Sequence, residues 1–445
     1  MRAIAKGIGL LLLAAGLFGL WYLIVSQGWW PRLSEEQKAA VALMEQPMAV
    51  PPGENALVMA ELIRHDVPEA DYPKWKTHGP IGLEKALVAA GHQRLVDAET
   101  SDACGSSSAD CLSAVLDDPE SARQKRETFA VVISRLPLLF RSTHASIRPA
   151  PPEVSLEDVP PGSGLGTQVA ELDAALMFAD GDIDGAVDSA CRQAAFWRGL
   201  VANSDTLIAQ LIAGRHAIRA GELLNGMVLR EPLRAKPSPA CLAAFRPFDA
   251  DERSLCDAMR GEYAWVTSFD LQAAVEAEQS WLSPRMNKAH NDALAAWTYS
   301  QLCDEGYVAA VRKSDFATLK ALECSWSEYL FNPPACMLFQ IGQPAYFDYV
   351  HRLDDYSSNL SAIRAAISIN ARADGVSLDE AFAQRPDGDQ REQQRIDVAE
   401  DGSPVLALSA GALQRHYRFT PLLLREDVEV VSDEPTGSEA SEPAR

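Results

Sequence analysis

The sequence predicts an all-α protein: a single N-terminal transmembrane helix, then a multi-helix soluble body with one small β-hairpin near the C-terminus. Three observations carry this expectation. An uncharged apolar run fills Gly7 to Val25. Apolar residues then recur at helical spacing along most of the chain. Strand-like alternation is nearly absent until RIDVAEDGSPVLAL at 395–408, where two short runs flank Asp401-Gly402, a hairpin signature.

The run GIGLLLLAAGLFGLWYLIV holds nineteen residues without a charge, a length of about 28 Å as helix and enough for a bilayer core. Arg2 and Lys6 precede it, and Trp21, Tyr22, Trp29 and Trp30 gather at its far end like an interfacial belt. The positive-inside rule then leaves the N-terminus in the cytosol and the body across the membrane. The apolar run is long for a cleaved signal peptide, and Ser-Gln-Gly-Trp-Trp-Pro follows it in place of a small-x-small cleavage site. With no cysteine close behind it, a lipoprotein is excluded.

Composition bounds the rest. The chain has 445 residues, 47% apolar and 23% charged, an ordinary globular balance with length for one large core or two smaller ones. Its formal net charge is −22. The segment 426–445 carries seven acids and one base, or −6 of that charge, leaving −16 for the folded part. Such a body repels phosphate backbones and anionic headgroups, which argues against nucleic-acid binding and against a second membrane contact. Arginine (30) far exceeds lysine (10), a lean toward a GC-rich bacterial source. The body's compartment is then the periplasm, and the anchor lies in the inner membrane.

All eight cysteines follow the anchor, and no C-x-x-C occurs among them, so neither a thioredoxin-type motif nor a zinc ribbon is present. An even count outside the cytosol predicts disulfides. The local candidates are Cys104–Cys111 across the loop CGSSSADC, and then Cys241–Cys256, which bracket a Pro-containing segment. Cys191 lies on an apolar helix face and reads as a buried thiol.

The chain divides into an anchor (1–30), a small helical region with the cysteine loop (31–147), a Pro/Gly-rich linker or long loop (148–168), a main helical domain (169–424) and an acidic disordered tail (425–445). Ser34-Glu-Glu-Gln37 reads as a capping box for a helix to about Glu45. Further helices fit Glu54 to Ile63, Leu83 to Ala90 and Pro119 to Leu139. In the main domain the apolar stripes place helices around Leu172–Ala179, Val187–Val201 and Leu207–Ile212, the last capped by Ser204 or Asp205. Others fit 252–281, 288–304, 308–328, 343–355 and 358–373. Gly162, Gly164 and Gly166 have the wrong spacing for a dinucleotide fingerprint.

Four constellations invite chemistry. Asp180-Gly-Asp182-Ile-Asp184-Gly185 reproduces half a calcium loop, but the twelfth position is Cys191 where a bidentate glutamate is needed. The ordinary reading is a helix-connecting turn whose acids favour the next helix's positive end. On a helix, Asp348, His351, Arg352 and Asp355 share a face, so Asp355 could orient His351 as a general base. A solvated face of ion pairs has the same pattern. His290-Asn-Asp292 and His65-Asp66 are shorter versions of it, and His216 reads as a core histidine. Finally, Trp326 to Tyr356 is dense in aromatics around Asn332-Pro333-Pro334. Phe331, Tyr346, Phe347 and Tyr349 are the candidates for a recognition surface, although such density more often builds core.

No motif names a reaction or implies a cofactor. The leading reading is a membrane-anchored, non-cytosolic helical binding or scaffold protein, either an envelope assembly factor or an inhibitor of the immunity type. It is held in the membrane through Gly7–Val25 and meets another envelope protein, a basic one by charge. The alternative is an envelope hydrolase with a dispersed acid/His site.

Overall fold

The computed structural model describes residues 2–26, 33–46, 53–95, 104, 108–147, 168–268, 288–313, 324–331, 333–386, 394–408 and 422–425. Helix α1 spans Arg2–Ser26. The body then runs α2 (Glu35–Met44), α3 (Ala56–Arg64), α4 (Tyr72–Trp75), α5 (Leu83–Ala89), α6 (Ser108–Asp117), α7 (Pro119–Thr128), α8 (Ala130–Leu139), α9 (Gln168–Ala179), α10 (Ile183–Ala202) and α11 (Leu207–Arg230). It continues with α12 (Pro239–Ala244), α13 (Cys256–Ser268), α14 (Lys288–Ser300), α15 (Glu305–Lys313), α16 (Trp326–Phe331), α17 (Pro333–Asn370) and α18 (Leu378–Ala383). Strands β1 (Gln394–Val398), β2 (Pro404–Leu408) and β3 (Leu422–Leu423) close the described chain. The protein is thus mostly helical, with a small three-stranded antiparallel sheet at the C-terminal end. The Pro/Gly-rich stretch 148–167, Trp29, Trp30 and the acidic residues 426–445 lie outside the described residues.

Among the described residues, no helix is long and apolar enough to cross a membrane. In α1 the described side chains are those of residues 8–23, about 24 Å of helix against a hydrocarbon core of about 30 Å. Leu10 to Leu13, Leu17, Leu20 and Leu23 are exposed along it.

Local chemistry explains several boundaries. Ser34 and Gln37 form the reciprocal capping box at the start of α2. The stretch 119–139 divides in two at Phe129, with Asp118 capping α7 and Pro119 in its first turn. The two helices expected over 343–355 and 358–373 are one continuous helix, α17. Ser358 Oγ donates to the Asp354 carbonyl (3.1 Å) and Asn359 Nδ2 to the Asp355 carbonyl (2.7 Å). Residues that compete with helix elsewhere are absorbed by bonding one turn back.

The core centres on α11, which packs against α10, α17, α6 and α9. Two glycines seven residues apart let α17 approach it closely. A Cβ on Gly214 would lie 2.6 Å from Tyr356 Cδ2, and one on Gly221 2.6 Å from Ile363 Cγ2. One apolar cluster runs from Met44 and Leu57 through Trp197 and Leu224 to Leu422, so residues on both sides of 148–168 share a core.

An extended segment, 144–147, makes the junction. Ala145 donates its N–H to the Asn203 carbonyl (2.9 Å) and accepts at its own carbonyl from the Asp205 N–H (3.0 Å). Asp205, fully buried, accepts from Ser146 Oγ (2.5 Å) and the Ile147 N–H (2.8 Å). Thr206 therefore caps α11 in place of the expected Ser204 or Asp205, accepting from the Ala209 N–H. Helix α13 presses on the same corner: a Cβ on Gly261 would stand 1.6 Å from the Asp205 carbonyl oxygen.

In the sheet, β1 and β2 pair antiparallel with Ile396 opposite Leu406, and Gly402 takes a positive φ of 89° in the turn. β3 adds Leu422 opposite Leu406. Two residues are too short a run for sequence periodicity to reveal.

All eight cysteines are paired: Cys104–Cys111, Cys191–Cys241, Cys256–Cys303 and Cys324–Cys336. The expected Cys241–Cys256 bond does not form, and Cys191 is no thiol. Helix α12, which carries Cys241, packs on α10, which carries Cys191, while Cys256 opens α13 beside the 3-10 turn at Cys303. Sequence separation sets the expected energetics. Closing 50 residues removes about 4 kcal/mol of unfolded-chain entropy and closing 7 about 2 kcal/mol. Replacing Cys191 and Cys241 by alanine should therefore cost roughly twice as much stability as replacing Cys104 and Cys111, measured by urea unfolding.

Candidate functional site

Helices α16 and α17 form a tight hairpin. Ser325 and Glu328 cap α16 reciprocally: the Ser325 N–H donates to Glu328 Oε2 (2.6 Å) and the Glu328 N–H to Ser325 Oγ (3.3 Å). Pro333 sits at the first position of α17, where its missing N–H costs nothing and its fixed φ suits the helix. The Cys324–Cys336 disulfide and a Tyr329 hydroxyl donating to Gln340 Oε1 (2.5 Å) tie the two helices together.

The hairpin sorts its aromatics into two faces. Inward, Ala335 and Cys336 pack with Leu294 of α14, flanked by Trp297 and Phe339. Tyr346 meets Tyr299 edge-on with ring centroids 5.1 Å apart and hydroxyls 2.9 Å apart. Tyr349 is half-buried, with the Arg352 guanidinium 5.3 Å over its ring. Outward, Trp326 is 81% exposed, Ile341 74%, Met337 56% and Tyr329 39%. Of the expected recognition residues, Tyr346 and Tyr349 thus face the body, and the side chains of Phe331 and Phe347 lie outside the described residues. The exposed apolar face belongs to their neighbours. Met337 and Ile341, one turn apart on the side away from Tyr346, were legible only once the helix's buried side was known.

Behind Tyr346 lies a carboxylate. Glu262 on α13 accepts from the Leu207 N–H (3.2 Å) at the start of α11. Burial, with Asp205 adding repulsion, raises its pKa to about 7. Burial raises the Tyr299 and Tyr346 hydroxyls as well, and Glu262 adds to both.

The other candidates are placed as follows. Asp180 pairs with Arg123 (2.6 Å), Asp182 caps α10 through the Gly185 N–H (3.1 Å), and Asp184 lies in the first turn of α10. The three acids form a turn, and among the described residues no three His, Cys, Asp or Glu stand together as a metal site. His351 is half-buried and Asp355 fully buried, one turn apart on α17. Neighbouring Asp354 is held by Arg253 (2.6 Å). With every cysteine in a disulfide, no thiol nucleophile is available to His351. His216 stacks on Trp197 with centroids 4.6 Å apart, Nδ1 3.9 Å from Glu171. His65 is buried, with Nδ1 2.8 Å from the Glu61 carbonyl. Two clefts escaped the sequence reading. One, of about 260 Å³, is lined by Asn55, Met59, Lys76 and His144, and Lys76 is already bound to Glu54. The other, of about 410 Å³, is lined by Arg123, Arg126, Ile133 and Asp180, and its arginines are paired with Asp180 and Asp173.

Neither a protein-family model, nor a curated protein, nor a solved structure matches this chain.

The Glu262 site gives a pH prediction. Its folded pKa of about 7 exceeds the 4.5 of an ordinary glutamate, so the folded protein keeps a proton that the unfolded chain has released. That stability is complete below about pH 4.5 and is lost as pH rises to about 7, a loss of up to about 3 kcal/mol. Glu171 shifts the other way, to about 2: burial raises it, but His216 and Arg219 outweigh that. It acts only below pH 4.5. E262Q keeps an acceptor for Leu207 and should flatten the pH 5–8 slope in urea unfolding while raising stability at pH 8.

Proposed function

We propose that the protein is a single-pass, membrane-anchored helical binding or scaffold protein with its N-terminus in the cytosol and its body in the periplasm. There it engages another envelope protein, as an assembly factor or an inhibitor of the immunity type. The outward face of the α16–α17 hairpin carries this reading. Trp326 and Ile341 are 81% and 74% exposed, and Met337 and Tyr329 are exposed as well, so both helices of a braced hairpin present apolar side chains to solvent. Such surfaces mark sites of association.

The anchor is supported by α1, a helix of 25 residues whose stretch Gly7–Val25 has no charge and whose leucines are exposed. Four disulfides suit an oxidising compartment. Tethering raises the local concentration of whatever the body meets at the membrane.

Two measurements test the reading. A reporter active only outside the cytosol, fused at the C-terminus, should be active; activity of a cytosolic reporter alone would reverse the orientation. Capture by the full-length protein in detergent should fall at least tenfold with W326A plus I341D at unchanged helix content, and hold with Y346F. Equal capture by the unaltered protein, the double variant and Y346F removes the hairpin from the reading.

A further inference from the structure

We propose that the occupant of the α16–α17 face is an uncharged, apolar protein segment at the level of the membrane, carried by another integral membrane protein. This rests on the anchored, protein-binding reading above and names the partner's chemistry. Two observations point to it, one of position and one of charge.

Position comes from α2, the first described element after α1. Gln37 Nε2 donates to Glu328 Oε1 across 3.0 Å, and α2 packs on α14 and α13. The hairpin is therefore fixed beside the start of the body. Ser34 caps α2 and Ser26 ends α1, eight residues apart, so even fully extended chain spans at most about 28 Å. A hairpin whose Glu328 is bound to Gln37, within a turn of that cap, cannot stand far from where the chain leaves α1.

Charge excludes the other occupants. In the twenty-three residues of 325–347 the one charged residue is Glu328, and its two oxygens accept from Gln37 and the Ser325 N–H. A chain with a net charge of −22 attracts basic proteins over its acidic surface, but within 325–347 a basic partner would find one carboxylate, and that is already bonded. It selects by apolar area. Lipid is an equally apolar candidate. However, surfaces that lie on a bilayer interleave lysine and arginine to meet anionic headgroups. This stretch has neither, and the acidic body is repelled by such a leaflet. An uncharged segment of a membrane protein meets the face without that penalty.

The test uses the full-length chain in its native membrane, with a photo-crosslinking residue at Met337 or Ile341 and a control at Val88, an exposed apolar residue on α5. A rigid helical spacer of thirty residues after Gln27 lifts the body by about 45 Å, and a flexible Gly/Ser spacer of equal length controls for the insertion. The expected result is an adduct from 337 and 341, absent at 88, with a protein that resists carbonate extraction. That adduct should fall at least tenfold with the rigid spacer and persist with the flexible one. Adducts with lipid alone overturn the proposal in favour of the bilayer. An adduct unchanged by the rigid spacer overturns the membrane-level placement and leaves the binding reading standing. No adduct, together with normal capture by W326A plus I341D, overturns both.

Discussion

The arrangement of the body depends on the buried carboxylate of Asp205. A carboxylate out of water is tolerable only when donors replace the lost hydration. Ser146 Oγ and the Ile147 N–H do so, which commits the extended segment 144–147 to the α10–α11 corner. The backbone exchange between Ala145 and residues 203 and 205 adds a short parallel bridge. Gly261 then lets α13 sit against the same residue's carbonyl. Helix α13 in turn packs on α14 and α14 on α17, where Tyr299 meets Tyr346, so packing continues from this corner to the hairpin.

Much of this was legible, and what was not has identifiable causes. Capping chemistry is local, so Ser34-Glu-Glu-Gln37 and the Asp401-Gly402 turn could be read directly and formed as expected. Asp205 could not, because a carboxylate at a helix start has two uses. Its neighbour Thr206 took the cap, freeing it for a partner 59 residues away. The unbroken α17 was hidden by Ser357, Ser358 and Asn359, whose propensities disfavour helix until packing gives them partners: Ser358 and Asn359 bond one turn back, and Ser357 accepts from the Phe248 N–H.

The aromatic stretch shows a different limit. Composition reveals density but not direction. Tyr346 and Trp326 look alike in sequence, and only the packing of α14 decides that one faces Tyr299 and the other solvent. Likewise Glu171 and Glu262 are the same residue type with opposite shifts. One is met by Arg219 across 2.5 Å, and the other faces Asp205.

The disulfides carry a consequence for biogenesis. In chain order the cysteines pair first with second, third with fourth, fifth with sixth and seventh with eighth. No bond straddles another. A polypeptide whose cysteines reach an oxidising space in chain order completes each pair before the next cysteine emerges, so simple sequential oxidation reaches the native connectivity. Eight cysteines admit 105 pairings, and this topology needs no reshuffling to select among them.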